Sequence, residues 1–306
     1  MRLSLVTFAF TVALAGCAGA PRKSAAPATV APPANAAPAE SPSAPPANDN
    51  LNAVVWTQTA IEHDLIYREV FRAAGEKLRA ALNDPTWDAL PESDRTKSPS
   101  RTRKPAVIVD VDETVLDNSP YQARLIEAGK DYDEFTWSQW CRERRAKPLP
   151  GALEFAQDAA KLGVTVFYLS NRAQDLNDAT LANLRDDGFP VAVGENVFLG
   201  LGTVVDGCEQ NGTEKGCRRR LVGRSHRVLM QLGDQIGDFV DVLANTPDGR
   251  RAAMKPYAGW IGQRWFVLPN PTYGSWEPAL FNNDWSQPAP TRRKAKVDAL
   301  RTEGVI

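Results

Sequence analysis

The chain alternates between stretches that can bury a core and stretches that cannot. Residues 3–14 are nearly all apolar, whereas 18 to about 50 are almost entirely Ala, Pro, Ser and Asn with no apolar period. Such a segment has nothing to pack and reads as an extended tether. Regular patterning begins near Leu51. Val54, Ile61, Leu65, Val70 and Leu78 recur at roughly helical spacing, with Trp56, Tyr67 and Phe71 among them, which predicts one or two amphipathic helices. Further on, the apolar runs 106–109, 164–169, 227–232 and 264–268 have the length and content of buried strands. Helical stretches lie between them: 150–162, with Pro150 near its first turn and Gly163 just past its end, and 175–185, stopping at Gly188. Strands alternating with helices predict an α/β domain whose mostly parallel sheet is covered on both faces.

Composition narrows this reading. Of 306 residues, 43% are hydrophobic and 24% charged, the profile of a soluble globular protein. A formal net charge of -1 gives no overall pull toward nucleic acid polymers or anionic membranes. Only His63 and His226 are present, far apart in sequence, which argues against a histidine-held zinc. Arg2, the apolar residues 3–14 and the small pair Ala15-Gly16 read as an export signal, too short to span a bilayer as a mature helix. Leu14-Ala15-Gly16-Cys17 resembles the bacterial lipobox, which implies lipidation of Cys17; an ordinary cleaved signal is the alternative. The expected organisation is therefore a signal peptide over 1–16, a tether over 17–50 and a folded domain over 51–306. An exported, lipid-anchored protein is expected, and Ala18 after the cysteine points to the outer membrane, facing periplasm or surface. Cys208 and Cys217 flank a polar loop; a disulfide and two free thiols both fit the sequence. Cys141 is left over as a buried or semi-buried thiol.

Four segments carry chemistry. In AVIVDVDET (106–114) an apolar strand runs straight into Asp110 and Asp112. Ligands of parallel sheets bind beyond the carboxyl ends of the strands, and residues two apart in extended backbone point the same way. Both carboxylates should face one pocket and Val111 should point elsewhere. In LMQLGDQIGDF (229–239) a second strand ends in Asp234, with Asp238 one turn later; Gly233 and Gly237 would allow a tight approach. In FYLSNR (167–172) Ser170 and Asn171 fall between a strand and a helix, where a hydroxyl and free N–H groups suit a phosphate. The basic stretch EKGCRRRLVGR contains Lys215 and Arg218; Arg219 and Arg220 read as a solvated face. Carboxylates about 4 Å apart repel by on the order of 4 kcal/mol at an effective dielectric near 20. Asp110, Asp112, Asp234 and Asp238 thus need counter-charge: Lys215, and a hard cation such as Mg²⁺.

These pieces, in this order, resemble the haloacid dehalogenase (HAD) superfamily. DVDETVLDNSPY and GDQIGDF look like the two signatures of bacterial class C acid phosphatases, a group that includes outer-membrane lipoprotein 5′-nucleotidases. The resemblance implies a three-layer Rossmann-like core with a small helical cap inserted after the first motif, roughly 118–150. It implies hydrolysis of small phosphomonoesters, with nucleoside 5′-monophosphates as the leading candidates, Asp110 as nucleophile forming an aspartyl-phosphate and Asp112 as general acid and base. It assigns the metal to the Asp110 side chain, the Asp112 backbone carbonyl and Asp234, with Asp238 assisting, and the phosphoryl group to Ser170, Asn171 and Lys215. Asp117 and Asn118 would shape the turn after the nucleophile. In these nucleotidases an aromatic pair sandwiches the base, and Trp137 and Tyr273 match by position. Cap packing is the alternative for Trp137 and the favoured reading for Trp140 and Trp276. The chain departs from the signatures at Val111, Gln235 and Ile236, and the Lys215–Asp234 spacing is shifted by about one residue. The competing expectation is a non-catalytic surface lipoprotein that binds a nucleotide or haem on the same scaffold.

Overall fold

A computed structural model of the protein describes residues 47–96, 102–209 and 212–303. The signal segment, Cys17 and nearly all of the tether lie outside the described residues. The folded part opens with α1 (Leu51–Thr59) and α2 (Ile61–Asn83). The buried stripe of α2 is His63, Tyr67, Phe71, Ala74, Leu78 and Ala81, one residue every three or four. Ile61 and Leu65, expected on that face, are 62% and 56% exposed; the aromatic register, set two residues later, is the one that meets the sheet.

Strand β1 (Lys104–Val109) leads into the first acidic motif. After it come β2 (Leu116–Asp117), α3 (Ser119–Ala128), α4 (Glu134–Glu143) and β3 (Lys147–Pro148), with β2 and β3 paired antiparallel. This insert closes on the core, where Leu149 N donates to Val115 O at 3.0 Å, and it belongs to the same compact unit as the sheet. Next are α5 (Ala152–Lys161), β4 (Thr165–Ala173), α6 (Asn177–Asp186) and β5 (Phe198–Leu201). Then follow α7 (Gly216–Ser225), β6 (His226–Gly233), α8 (Pro247–Met254), β7 (Trp265–Val267) and α9 (Ala289–Asp298).

The main sheet has the order β5-β4-β1-β6-β7, and every neighbouring pair is parallel. Its central strands β1 and β6 are buried over their apolar residues, as strands covered on both faces must be. From β1 the chain steps one way, to β4 and then β5, and afterwards returns past β1 to β6. Parallel crossovers are right-handed, so α5 and α6 lie on one face and α7 on the other. The direction reverses at β1, and the crevice beyond the carboxyl ends of β1 and β6 is where such sheets bind ligands.

Two sequence expectations change. β5 and α7 were not anticipated, the first because it is four residues with a glycine, the second because its residues are mostly basic. Arg219, read as solvated, is fully buried: Nε donates to Asp94 Oδ2 at 2.6 Å, Nη2 to Asp241 Oδ1 at 2.8 Å and Nη1 to Gly237 O at 3.0 Å. Its acidic partners come from distant segments, so the local run of arginines did not reveal them. Arg220, 40% exposed, reaches Asp94 at 3.4 Å. Cys208 and Cys217 are joined in a disulfide, and Cys141 is a free, buried cysteine whose thiol is pushed up to about 12 by burial.

Candidate active site

Asp110 follows β1 directly, its N–H donating to Leu232 O of β6 at 2.9 Å. The chain then turns tightly, with Val111 O accepting from Val115 N at 3.0 Å and Leu116 N at 2.9 Å. Glu113 takes a positive φ of 54° in this turn, a conformation that costs a side-chain-bearing residue energy and must be held by its surroundings. Tyr67 of α2 supplies part of that hold, its hydroxyl donating to Glu113 O at 2.6 Å. Asn118 N donates to Glu113 Oε1 at 2.8 Å. Burial, with the Asp112 charge close by, pushes the Glu113 carboxyl well above the usual range.

The four aspartates anticipated from sequence converge. Lys215, buried at the residue before α7, donates Nζ to Asp110 Oδ1, to Asp238 Oδ1 at 2.7 Å and to Leu169 O at 2.8 Å. The lysine that the shifted spacing made uncertain is therefore the one in the site. Asp110 Oδ2 accepts from Thr114 Oγ1 at 3.2 Å. Asp234 Oδ2 accepts from Asn270 Nδ2 at 2.8 Å and from Gln235 Nε2 at 2.9 Å. Asp238 Oδ2 accepts from Gln235 N at 2.9 Å. A Cβ on Gly233 would fall 2.2 Å from Asp238 Oδ2, so the close approach requires glycine there; Gly237 has open space and imposes no such demand. Asp112, at the turn's edge, is paired with Arg172 of β4 at 2.8 Å and accepts Ser170 Oγ at 3.0 Å.

Charge is unevenly distributed. One oxygen each from Asp110, Asp234 and Asp238 lies within 4.8 Å of the others, with Lys215 the cation among them. Burial pushes the Asp110 carboxyl well above its ordinary value even though Lys215 opposes the shift. Burial, with Asp238 beside it, pushes Asp234 up to about 7. An all-oxygen donor set with surplus negative charge fits a hard divalent cation.

The FYLSNR segment is placed differently from expectation. Ser170 and Asn171 do not precede a helix; β4 continues through them to Ala173, which pairs with Leu201 of β5, and α6 begins only at Asn177. The strand's alternation turns Ser170 and Arg172 inward and exposes Asn171. Asn171 Oδ1 accepts from Arg218 Nη2 at 2.6 Å, and Arg218 Nη1 donates to Ser170 O at 2.6 Å, so the buried Arg218 ties this strand end to the Lys215 segment. Trp137, on α4, is buried against Tyr121, with the Arg172 guanidinium 5.4 Å from its ring centroid. Tyr273 is half-buried on the opposite flank, its carbonyl accepting from Gln235 Nε2 at 3.3 Å. Arg172, Thr114, Asn270, Glu113 and Tyr67 were not singled out beforehand. Only Arg172 had a signal: continuing the strand past 169 through residue 172 would have put it on the face of Ser170.

Residues 51–276 match the family described as HAD superfamily, subfamily IIIB (Acid phosphatase). The chain belongs to this family. A crystal structure of the class C acid phosphatase from Bacillus anthracis superposes with a TM-score of 0.70 at 32% identity, covering 83% of this chain and 98% of that one. A second structure of that enzyme has tungstate bound. Acid phosphatase 1 of Solanum lycopersicum is 29% identical over 171 residues, 54% of this chain and 57% of its own length. Vegetative storage protein 2 of Arabidopsis thaliana is 28% identical over 174 residues, 54% of this chain and 55% of its own length. The chain thus spans little more than half the length of these plant relatives. Among family members with such different names, the side chains at the site decide the reading.

Proposed function

We propose that this family member is an Mg²⁺-dependent acid phosphatase that hydrolyses small phosphomonoesters, nucleoside 5′-monophosphates foremost, through an aspartyl-phosphate. The observation that carries the reading is Asp110: a buried carboxylate at a strand end, held by Lys215, with Asp112 two residues on. A pure binding protein has no use for a nucleophile beside an acid. That a relative binds tungstate supports an oxyanion ligand for this family member, since tungstate has phosphate's tetrahedral shape.

In this mechanism Lys215 and Ser170 bind the phosphoryl oxygens, and Asn171 borders them. Asp110 attacks phosphorus, and Asp112 protonates the leaving alcohol, then takes a proton from the water that hydrolyses the aspartyl-phosphate. Asp110, Asp234 and Asp238 would hold the Mg²⁺, together with the Asp112 carbonyl. When bound, the ion neutralises the carboxylate cluster and the phosphoryl charge. Trp137 and Tyr273 are the proposed walls of the base site. The same reading puts the protein on the outer membrane through a lipid on Cys17.

The test is phosphate release from p-nitrophenyl phosphate and a panel of nucleoside monophosphates, with Mg²⁺ and with EDTA, beside Asp110→Asn. Metal-dependent turnover that disappears in the variant supports the reading, and the panel ranks substrates. Folded protein that releases no phosphate under any condition overturns it in favour of a ligand-binding lipoprotein.

A further inference from the structure

The two oxygens of Asp112 are treated differently. Oδ1 accepts from Arg172 Nε at 2.9 Å and Asn118 Nδ2 at 2.9 Å, and Arg172 Nη2 lies 2.8 Å from it as an ion pair. Oδ2 accepts from Ser170 Oγ at 3.0 Å. The donors on Oδ1 are fixed in place. Arg172 is fully buried, and its Nη1 donates to Thr180 Oγ1 of α6 at 3.2 Å. The Asn118 amide has one possible orientation: its Oδ1 accepts from Trp140 Nε1 at 2.8 Å and from Arg172 Nη2 at 3.3 Å. Indole and guanidinium nitrogens only donate, so the acceptor end of the amide must face them and its NH₂ is left for Asp112. Trp140 lies on α4, so a helix of the insert orients a group that touches the acid.

We infer that Arg172 and Asn118 are positioning residues that saturate Oδ1 of Asp112 and make Oδ2 the oxygen that transfers the proton, with Trp140 locking the arrangement from the insert. The inference rests on the phosphatase reading above and adds to it the atom that carries the proton and the residues that select it. In the first half-reaction an Asp110 oxygen bonds to phosphorus while the bond from phosphorus to the leaving oxygen breaks. That electron pair stays on the departing oxygen, which takes the proton from Asp112 Oδ2 and leaves as the alcohol. In the second, a water oxygen bonds to phosphorus, its proton goes to Oδ2, and the aspartyl oxygen–phosphorus bond breaks with its pair returning to Asp110. Inorganic phosphate departs and both aspartates regain their starting forms. Two N–H donors, with the guanidinium Nη2 alongside at 2.8 Å, occupy both lone pairs of Oδ1, whereas the Ser170 hydroxyl can rotate from Oδ2 onto a phosphoryl oxygen.

Leaving-group dependence separates positioning from mere structural support. A nitrophenolate departs without a proton; the alkoxide of glycerol phosphate does not. In the full-length protein, Arg172→Lys should lower kcat/KM for glycerol phosphate by about 10²-fold, the low end for loss of a general acid, and for p-nitrophenyl phosphate by less than about threefold. Trp140→Phe keeps the ring and loses the indole donor, and should show the same split at about tenfold. It stands as the test if Arg172→Lys fails to fold. Equal losses on both substrates, or no loss on either, would overturn the inference. Wild-type protein inert toward both would overturn the phosphatase reading itself.

Discussion

Two ionic clusters with buried centres meet at the start of α7, and they are built on opposite plans. In one, Arg219 and Arg220 face Asp94 and Asp241, two charges against two, and Arg219 spends its remaining donors on backbone carbonyls. In the other, Lys215 and Arg172 face Asp110, Asp112, Asp234 and Asp238, two against four. A closed, neutral cluster has nothing left to bind. An anionic surplus at a sheet's ligand-binding edge is stable only with something cationic in it, so the surplus marks the working site. Burial alone does not distinguish the two; charge balance does.

Breaking each cluster should have opposite consequences. The largest effect is expected from Asp110→Asn, which should reduce kcat by on the order of 10⁴-fold or more, as loss of a catalytic nucleophile does. The same change removes a crowded negative charge, so the melting temperature without metal should hold or rise; a clear fall would mean that Asp110 is a structural anion. Arg219→Met should do the reverse. It leaves Asp94 buried with only the half-exposed Arg220, a loss of about 3–5 kcal/mol in urea unfolding, while the folded fraction keeps its turnover. Next in size is Mg²⁺ itself, which should stabilise the wild type by about 2.7 kcal/mol at a hundredfold excess over Kd. The increment should collapse in Asp234→Asn, read by thermal unfolding.

The smallest effect concerns pH. Burial and the neighbouring Asp238 push the Asp234 carboxyl up to about 7 in the folded, metal-free chain, against an ordinary 3.8. The folded chain therefore keeps this proton longer than the unfolded chain. The stabilisation is complete below the unfolded value and is lost as pH rises through the folded one. In EDTA, stability should thus fall between pH ~4 and ~7, and the Mg²⁺ increment should grow over the same range as the ion displaces the proton. A flat increment would place the ion away from Asp234.

The difference between the clusters also marks what the sequence could disclose. Asp110 and Asp234 were legible because each ends an apolar strand, a pattern contained in a few consecutive residues. Lys215 was legible because a crowd of carboxylates demands a cation. Arg219 was misread because Asp94 is 125 residues away and nothing near the arginine announces it. Arg172 was passed over because the end of β4 was drawn four residues early, at 169 rather than Ala173. The exposed Ile61 and Leu65 show the same limit on a helix, where several apolar residues offered two faces and only packing on the sheet chose between them.

One connection has a bearing on how this half of the chain can vary. α7 ends at Ser225 and β6 begins at His226, with no linker between them. Lys215 and Asp234 therefore stand at the two ends of a rigid ruler. A single residue added within α7 would turn its first residues by about 100° relative to the strand, since a helix completes a turn in 3.6 residues, and would carry the ammonium away from Asp110. Length changes compatible with turnover are thus confined to the loop before Lys215, where the Cys208–Cys217 bridge makes the slack end of the ruler a clasped one.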